Sequence, residues 1–197
     1  MILSTENGAL RERVGERKAI EILAKAGFDA IDYTFTPWME RGEMPWNGND
    51  YVSYAKEVNQ IAKDNGIHFN QAHAPFIFHT SYLPDWNREI MPLQIRCMEA
   101  CALLGIPHMV VHPVHHLPYN KHLTATQTNM ETIWKLNREY YHLLQPYAKQ
   151  FGVKMCLENM FGEDDRRGCL VPDMFSDPHE YAKFFDELDD SENFTCL

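Results

Sequence analysis

Lys154-Met-Cys-Leu-Glu-Asn-Met160 is a short apolar run that ends in two polar residues, Glu158 and Asn159. The pair Gly152-Val153 stands directly before it, and a helical pattern precedes that pair. A short apolar run bounded by a glycine is typical of a buried strand in a parallel sheet. We therefore predict a strand whose C-terminal end carries Glu158 as a metal-binding or catalytic carboxylate.

The same order of signals recurs along the chain: a helical pattern, a glycine, and an apolar run that ends in polar residues. Each glycine stands where a helix C-cap needs a left-handed residue, so it ends the helix and turns the chain into a strand. The spacing of about forty residues is the length of a βα unit with a generous loop. The repeated segments begin at Gly27, Gly66, Gly105 and Gly152.

Helical periodicity fills the intervals between these strands. Apolar residues recur at helical spacing, and Asp-Pro at 177–178 is typical of an N-cap followed by proline in the first turn. Pro146 is expected to kink or split the helix that contains it. The predicted helices are Arg11–Ala26, Asp50–Asn65, Asn87–Leu104, Thr126–Phe151 and Asp177–Leu188.

Alternating strands and helices predict a parallel sheet covered by helices. The helix-to-strand junctions are short, whereas the strand-to-helix loops are long, as in the TIM-type (β/α)8 barrel. A doubly wound sheet is the alternative, but no G-x-G-x-x-G follows the first strand. The chain has about five βα units and a sixth strand, Asn193–Leu197, whereas a complete barrel needs about 250 residues. We predict a single, incomplete barrel domain over 1–197, either a truncated product or an open sheet with an edge strand to cover.

Composition narrows the classes of partner. The chain has 197 residues and a formal net charge of -10, and its basic residues are scattered. A nucleic-acid-binding face usually carries clustered basic residues, so nucleic acid is not favoured as the main partner. No apolar run approaches the roughly 20 residues of a transmembrane helix, and the N-terminus resembles a strand rather than a secretory signal. We predict no membrane association.

The five cysteines are odd in number and form no C-x-x-C pair. Free cysteines in such a pattern behave as small buried hydrophobes. We predict free buried thiols, a reducing environment and a cytoplasmic location. The cysteines are Cys97, Cys101, Cys156, Cys169 and Cys196.

Three predicted strand ends carry side chains that bind metals: His73, His112 and Glu158. Consecutive strands of a barrel converge at one end, so the two imidazoles and the carboxylate are expected to share one site. Imidazole nitrogen and carboxylate oxygen suit Zn or Mn, which polarise a carbonyl or hydroxyl. The alternative for either histidine alone is a core residue hydrogen-bonded to backbone.

Other polar and aromatic residues lie near the same predicted face. Asp32 ends the second strand and is expected either to contact a ligand or to support neighbouring residues. The charged run Glu163–Arg167 is interpreted as a solvated loop, with a lid as the alternative. Trp38 and Trp46 are interpreted as loop packing, with a wall for a sugar face as the alternative. Four further residues lie in the predicted active-face loops: His79, Trp86, His115 and His116.

The strand ends His73-Ala-Pro-Phe76, His112-Pro113 and Glu158-Asn159 resemble the xylose-isomerase-like (β/α) barrel superfamily. The similarity includes the Gly-Val-Lys approach at 152–154 and follows the same order over the whole chain. This superfamily includes sugar isomerases, ketose epimerases and apurinic endonucleases.

The resemblance implies roles for the three residues. Glu158 matches the metal-binding carboxylate that also takes part in proton transfer. His73 and His112 match positions that face the substrate in the sugar enzymes and bind zinc in the endonucleases. The implied cofactor is a divalent metal (Mn, Zn, Mg or Co). The resemblance implies that the next ligands come from an Asp-x-x-His motif at the end of the sixth strand and then from the seventh and eighth strands, and this sequence reaches Leu197 just before that motif.

The leading hypothesis is a metal-dependent sugar isomerase or ketose epimerase that acts by proton transfer through an enediolate. Its partner would be a small-molecule sugar or sugar derivative, and homo-oligomerisation is left open. One alternative is a zinc-dependent endonuclease-type phosphodiesterase. Another is an inactive barrel fragment that lacks the C-terminal ligands.

Overall fold

The computed structural model describes residues 1–36, 45–75, 91–113, 127–164 and 166–196. In chain order its elements are β1 (Ser4–Glu6), α1 (Gly8–Val14), α2 (Glu16–Ala26), β2 (Ala30–Thr34), α3 (Tyr51–Asp64), β3 (His68–His73), α4 (Met91–Leu104), β4 (His108–Val111), α5 (Gln127–Phe151), β5 (Lys154–Leu157), β6 (Phe161–Asp164), β7 (Cys169–Pro172), α6 (Pro178–Leu188) and β8 (Phe194–Cys196).

Six strands form one parallel sheet in the order β1-β2-β3-β4-β5-β8, which is also their order along the chain. Each strand lies beside the one that precedes it in the sheet, with helices in the connections. This arrangement is the wall of a TIM-type barrel, and it confirms the predicted fold class. Within the described residues, β1 and β8 each have one strand neighbour in this sheet.

The register of the sheet separates an apolar face from a polar one. One row of paired residues is buried against the helices and belongs to the hydrophobic core: Tyr33, Ala72, Met109, Met155 and Phe194. The adjacent row points to the opposite face, which corresponds to the barrel interior: Thr34, His73, Val110, Cys156 and Thr195. Because side chains alternate along a strand, the residues two positions further on return to this inner face.

Glycines end four helices at the predicted positions. Their φ angles are 90° at Gly27, 69° at Gly66, 75° at Gly105 and 66° at Gly152. Positive φ favours glycine because it has no Cβ, so these residues turn the chain from helix to strand at little steric cost. The sequence-based prediction of four helix-to-strand junctions is confirmed.

The single helix predicted over Arg11–Ala26 is wrong, because Gly15 divides it into α1 and α2. Gly15 has φ 83° and ψ 163°, a region that is essentially restricted to glycine. The helical pattern of apolar residues continues across the break, and for that reason periodicity does not reveal it. Val14, the apolar residue directly before the break, is 42% exposed.

The other helices predicted from the sequence agree more closely with the structure. Asp177 caps α6, its carboxylate accepting hydrogen bonds from the backbone N–H groups of His179 at 2.7 Å and Glu180 at 3.2 Å. Helix α5 continues through Pro146 and is not split. Asp50 occupies the N-cap position of α3 without a side-chain capping bond. Residues 87–90 of the helix predicted from Asn87 lie outside the described residues.

The charged segment predicted as a loop belongs instead to an antiparallel hairpin of β6 and β7. The Asp164 carboxylate accepts hydrogen bonds from the backbone N–H groups of Arg166 at 3.0 Å and Arg167 at 3.2 Å. Gly168, with φ 61°, completes the turn. A turn-forming aspartate and a glycine therefore produce a hairpin where charge alone indicates a solvated loop.

All five cysteines are free. Cys97, Cys101 and Cys156 are buried as predicted, whereas Cys169 and Cys196 are exposed, so that part of the prediction is wrong. Cys169 is the first residue of β7, beside the hairpin turn, and is exposed there. The cytoplasmic location stays a prediction.

Membrane crossing by a helix requires a long apolar segment. In the described ranges, no helix is long and apolar enough to serve as one.

Candidate metal and substrate site

His112 and Glu158 lie at the C-terminal ends of neighbouring parallel strands. Each follows the last residue of its strand, and alternation from Val110 and Cys156 points both side chains to the inner face. The Nε2 atom of His112 and the Oε2 atom of Glu158 are 2.9 Å apart. The His112 side chain is 3% exposed and the Glu158 side chain 26%, so the contact faces a partly open space.

The contact between His112 Nε2 and Glu158 Oε2 has the length of a hydrogen bond or a close ion pair, and Glu158 Oε2 is buried. Two ligands bonded at about 2.1 Å to one ion and separated by 90–109° lie roughly 3.0–3.4 Å apart. The observed separation of 2.9 Å is slightly below this range, so the two atoms would have to move a little further apart to hold one ion.

His73 ends β3 on the same inner face. Its ring centroid is 5.8 Å from that of His112, with 38° between the ring planes. One ligand atom each from His73, His112 and Glu158 lies within 4.8 Å of the others. The structure therefore brings together all three residues that the sequence analysis selected.

Asp32 contacts this cluster from β2, through both of its carboxylate oxygens. His73 Nδ1 is 2.9 Å from Oδ1, and Gln71 Nε2 donates to Oδ2 at 2.8 Å. Sequence analysis left the role of Asp32 open and did not select Gln71. The sequence carries only a weak signal for the contact between Asp32 and Gln71, because that contact depends on the register between β2 and β3.

Helix side chains fix the backbone at four consecutive strand ends. At each end a buried or partly buried donor bonds a backbone carbonyl beside the site, which restrains the residues that follow. These bonds are Arg11 Nη1 to Thr34 O at 2.6 Å, Arg11 Nη2 to Thr36 O at 3.0 Å, Gln94 Nε2 to Pro75 O at 3.1 Å, Tyr141 Oη to Val111 O at 2.7 Å, and Tyr181 Oη to Leu157 O.

An open cavity of about 380 Å³ adjoins the cluster. Its volume suits a small ligand. Two carboxylates from the β1–α1 region and two threonines from the end of β2 contribute to its lining. The lining residues are Glu6, Gly8, Ala9, Glu12, Thr34, Thr36, His73, His112 and Glu158.

Gly8 allows the chain to approach this cavity closely. A Cβ atom at this position would lie 2.4 Å from Glu6 Oε1 and 2.4 Å from Thr34 Cγ2. The backbone N–H of Gly8 donates to Glu6 Oε1 at 2.6 Å. The absence of a side chain at Gly8 therefore lets Glu6 fold back beside the site.

The electrostatics of the cluster favour ionised Glu158. Burial raises the pKa of Glu158. The hydrogen bond from His112 and the charges of His112 and His73 lower this pKa by more, so overall it lies below its ordinary value. For His73, burial lowers the pKa, but the hydrogen bond and charge of Asp32, with the charge of Glu158, raise it above 6.5 overall. The site is thus organised around a stabilised carboxylate.

Several residues named from sequence do not enter the site. Trp46 is fully buried, its Nε1 donates to the Tyr33 hydroxyl at 3.0 Å, and it packs on the helix side of the sheet. This agrees with the packing interpretation for Trp46. The remaining loop residues lie outside the described part of the chain: Trp38, His79, Trp86, His115 and His116.

A family model described as a xylose isomerase-like TIM barrel matches residues 20–197. No curated protein sequence matches the chain.

Solved structures share the fold. The 3-keto-D-glucoside 4-epimerase from E. coli aligns over 100% of this chain and 67% of its own, at 16% identity and a TM-score of 0.71. A D-psicose 3-epimerase studied with D-fructose aligns over 100% and 62%, at 17% identity and a TM-score of 0.69. A probable 3-DHS dehydratase from Bacillus anthracis aligns over 100% and 62%, at 14% identity and a TM-score of 0.66. This chain therefore spans about two thirds of the length of these relatives.

Proposed function

Because the chain belongs to the xylose isomerase-like TIM barrel family, we propose that it is a metal-dependent sugar isomerase or ketose epimerase acting through an enediolate. The observation that carries this proposal is the convergence of His73, His112 and Glu158 at one end of the sheet, within 4.8 Å of one another. The two structural neighbours named as sugar epimerases support a small sugar or sugar derivative as the substrate.

Glu158 is the proposed metal-binding and proton-transferring group. When bound, a divalent ion polarises a carbonyl or hydroxyl oxygen and so acidifies the neighbouring C–H bond. One carboxylate oxygen would hold the ion and the other would receive the proton. The lowered pKa of Glu158 keeps the carboxylate ionised at neutral pH, as both roles require.

His73 and His112 are the proposed substrate-facing residues. Both lie against the cavity, and their imidazole nitrogens are near enough to Glu158 to bind the same ion. A neutral imidazole both donates and accepts hydrogen bonds, which suits recognition of sugar hydroxyls. Thr34 and Thr36 add hydroxyl-bearing side chains to the same lining.

A zinc-dependent phosphodiesterase is the second candidate. Two imidazoles and a carboxylate are also a zinc ligand set, which favours this activity. Against it, Glu6 and Glu12 line the same cavity and the chain carries a net charge of -10. Such a field repels the phosphates of a nucleic acid, so the sugar enzyme is the better-supported proposal.

Exchange of the substrate C–H proton tests the proposal directly. The chain is incubated in D2O with Mn²⁺ or Co²⁺ and a panel of ketoses, and deuterium incorporation beside the carbonyl is followed by proton NMR. Glu158→Gln is expected to slow exchange by about 10²-fold or more, because the proton acceptor is lost. Glu57→Gln, an exposed carboxylate paired with Arg17, serves as the control and should exchange at the wild-type rate.

Three results separate the alternatives. Unchanged exchange in Glu158→Gln would contradict the role of Glu158. Absence of exchange in the wild-type chain, with weak and substoichiometric metal binding, would favour an inactive fragment. Tight binding of several zinc ions with cleavage of a phosphodiester would favour the phosphodiesterase.

A further inference from the structure

We infer that Asp32 is a positioning residue that fixes the ring tautomer and orientation of His73, and that an irregularity in β3 makes this contact possible. The role of His73 at the active site rests on the proposed function. The geometry of the contact between Asp32 and His73 does not depend on that function. Asp32 does not line the cavity and is not one of the three clustered ligand residues. Asp32 reaches the site through its hydrogen bonds with His73 and Gln71 and through its charge, which raises the pKa of Glu158.

A β-bulge sets the direction of His73. Pairing between β2 and β3 joins Ile31 to Phe69 and then Asp32 to Gln71, so Asn70 is an extra residue in β3. Phe69 is buried in the core against the helices. Strict alternation from Phe69 would place residue 73 on the helix side of the sheet. The extra residue reverses this, and His73 reaches the inner face instead.

The bulge also aligns two donors with one carboxylate. Gln71 and His73 both follow Asn70, and each contacts a different oxygen of Asp32, at 2.8 Å and 2.9 Å. Asn70 itself is held by Ser4, whose hydroxyl donates to Asn70 Oδ1 at 2.8 Å. The bulge is thus held by contacts to β2 and to β1, which lie on the same side of β3 in the sheet.

The chemistry of this contact determines which ring nitrogen carries the proton. An ionised carboxylate only accepts hydrogen bonds, so the 2.9 Å contact requires a proton on His73 Nδ1. In the neutral ring this leaves Nε2 with a lone pair. The side chains of His73 and Asp32 are only 22% and 15% exposed, so water competes weakly for the contact. Nε2 is then the nitrogen offered to a metal ion or a substrate hydroxyl.

The tautomer can be measured without metal or substrate. Protein labelled with ¹⁵N-histidine is examined by two-dimensional NMR near pH 9, where imidazoles are neutral, and the His73 signals are assigned by their loss in His73→Gln. We expect wild-type His73 to have its proton on Nδ1. Asp32→Ala should shift the ring toward the Nε2-protonated form or a mixture, whereas Asp32→Asn should retain the wild-type tautomer through its amide oxygen.

Asp64→Ala is the matched control, because it likewise removes an aspartate that accepts a hydrogen bond from a glutamine, here Gln60, but at an exposed position in α3. Its tautomer should match wild type. Co²⁺ titration provides a second readout: loss of such an outer carboxylate typically weakens metal affinity 10–100-fold, so Asp32→Ala should weaken binding and Asp32→Asn should weaken it less.

The outcomes are separable from those of the proposed function. A wild-type tautomer in Asp32→Ala, or an Nε2-protonated ring in the wild-type protein, would overturn the inference. If Asp32→Ala does not fold, the wild-type and Asp32→Asn tautomers still decide it. A tautomer change without any isomerase activity would leave this inference standing and contradict the proposed function.

Discussion

At the scale of single residues, the site is built from carboxylates that contact imidazoles, and the pKa values of the two kinds of group shift in opposite directions. Glu158 lies beside two histidines and has a lowered pKa, whereas His73 lies beside Asp32 and has a raised pKa. Each partner stabilises the charged form of the other despite burial. The pH dependence of stability should therefore report on these contacts.

His73 should stabilise the fold more at low pH than at high pH. A raised pKa in the folded state gives stability that is fully present below the unfolded value of about 6.5 and is lost as pH rises through the folded pKa. We expect urea unfolding at pH 6 and pH 9 to show a larger loss of stability in wild type than in His73→Gln. His68→Gln, at the exposed start of the same strand, controls for the removal of an imidazole. Equal losses in wild type and His73→Gln would contradict the raised pKa.

Gly15 should tolerate no side chain, because its φ of 83° and ψ of 163° lie in a region essentially restricted to glycine. Gly15→Asn is expected to cost about 1–3 kcal/mol of unfolding free energy in urea denaturation. Gly27 is the matched control: its φ of 90° and ψ of 19° are left-handed, which asparagine tolerates. Similar costs at both positions would argue against the break between α1 and α2.

At the scale of elements, the helices hold the strand ends as well as covering the sheet. Arg11 from α1, Gln94 from α4, Tyr141 from α5 and Tyr181 from α6 each donate to a carbonyl at a strand end. Buried carbonyls need such partners, since an unsatisfied one costs free energy. These bonds restrain the backbone from which the site residues project.

Tyr141→Phe should test one of these restraints. It removes the donor to Val111 O, directly before His112, and leaves the ring packing in place. We expect a loss of about 1–2 kcal/mol in unfolding free energy. Tyr147→Phe in the same helix is the control, because its hydroxyl makes no hydrogen bond among the described residues. A loss no larger than that of the control would show that the carbonyl finds another partner.

At the scale of the whole molecule, metal binding should be coupled to folding, since His73, His112 and Glu158 come from three different strands. The unfolded chain does not hold them together, so an ion binds the native state preferentially. At a concentration of Co²⁺ or Zn²⁺ about 100 times the Kd, the fold should gain about 2.7 kcal/mol. Thermal unfolding should show this gain in wild type and Glu57→Gln but not in Glu158→Gln. Equal stabilisation of all three proteins would place the ion elsewhere.

Sequence reasoning predicted the features that depend on local signals. Gly27 and Gly152 mark helix ends because a positive φ suits glycine, and Asp177 with Pro178 marks a helix start. His73, His112 and Glu158 were selected because each is a metal-ligand type of side chain at the end of a predicted strand. The residues meet in space because parallel strands place their C-terminal ends at one edge of the sheet.

The sequence by itself determined the alternation of strands and helices, the barrel-type fold and three residues of the candidate site. Only the tertiary structure decided the bulge at Asn70 and the pairing of Asp32 with Gln71 and His73. The physical reason is that helix ends and strand ends follow from local backbone preferences. Strand register, and therefore which side chains meet, depends on packing between residues that are distant in the chain.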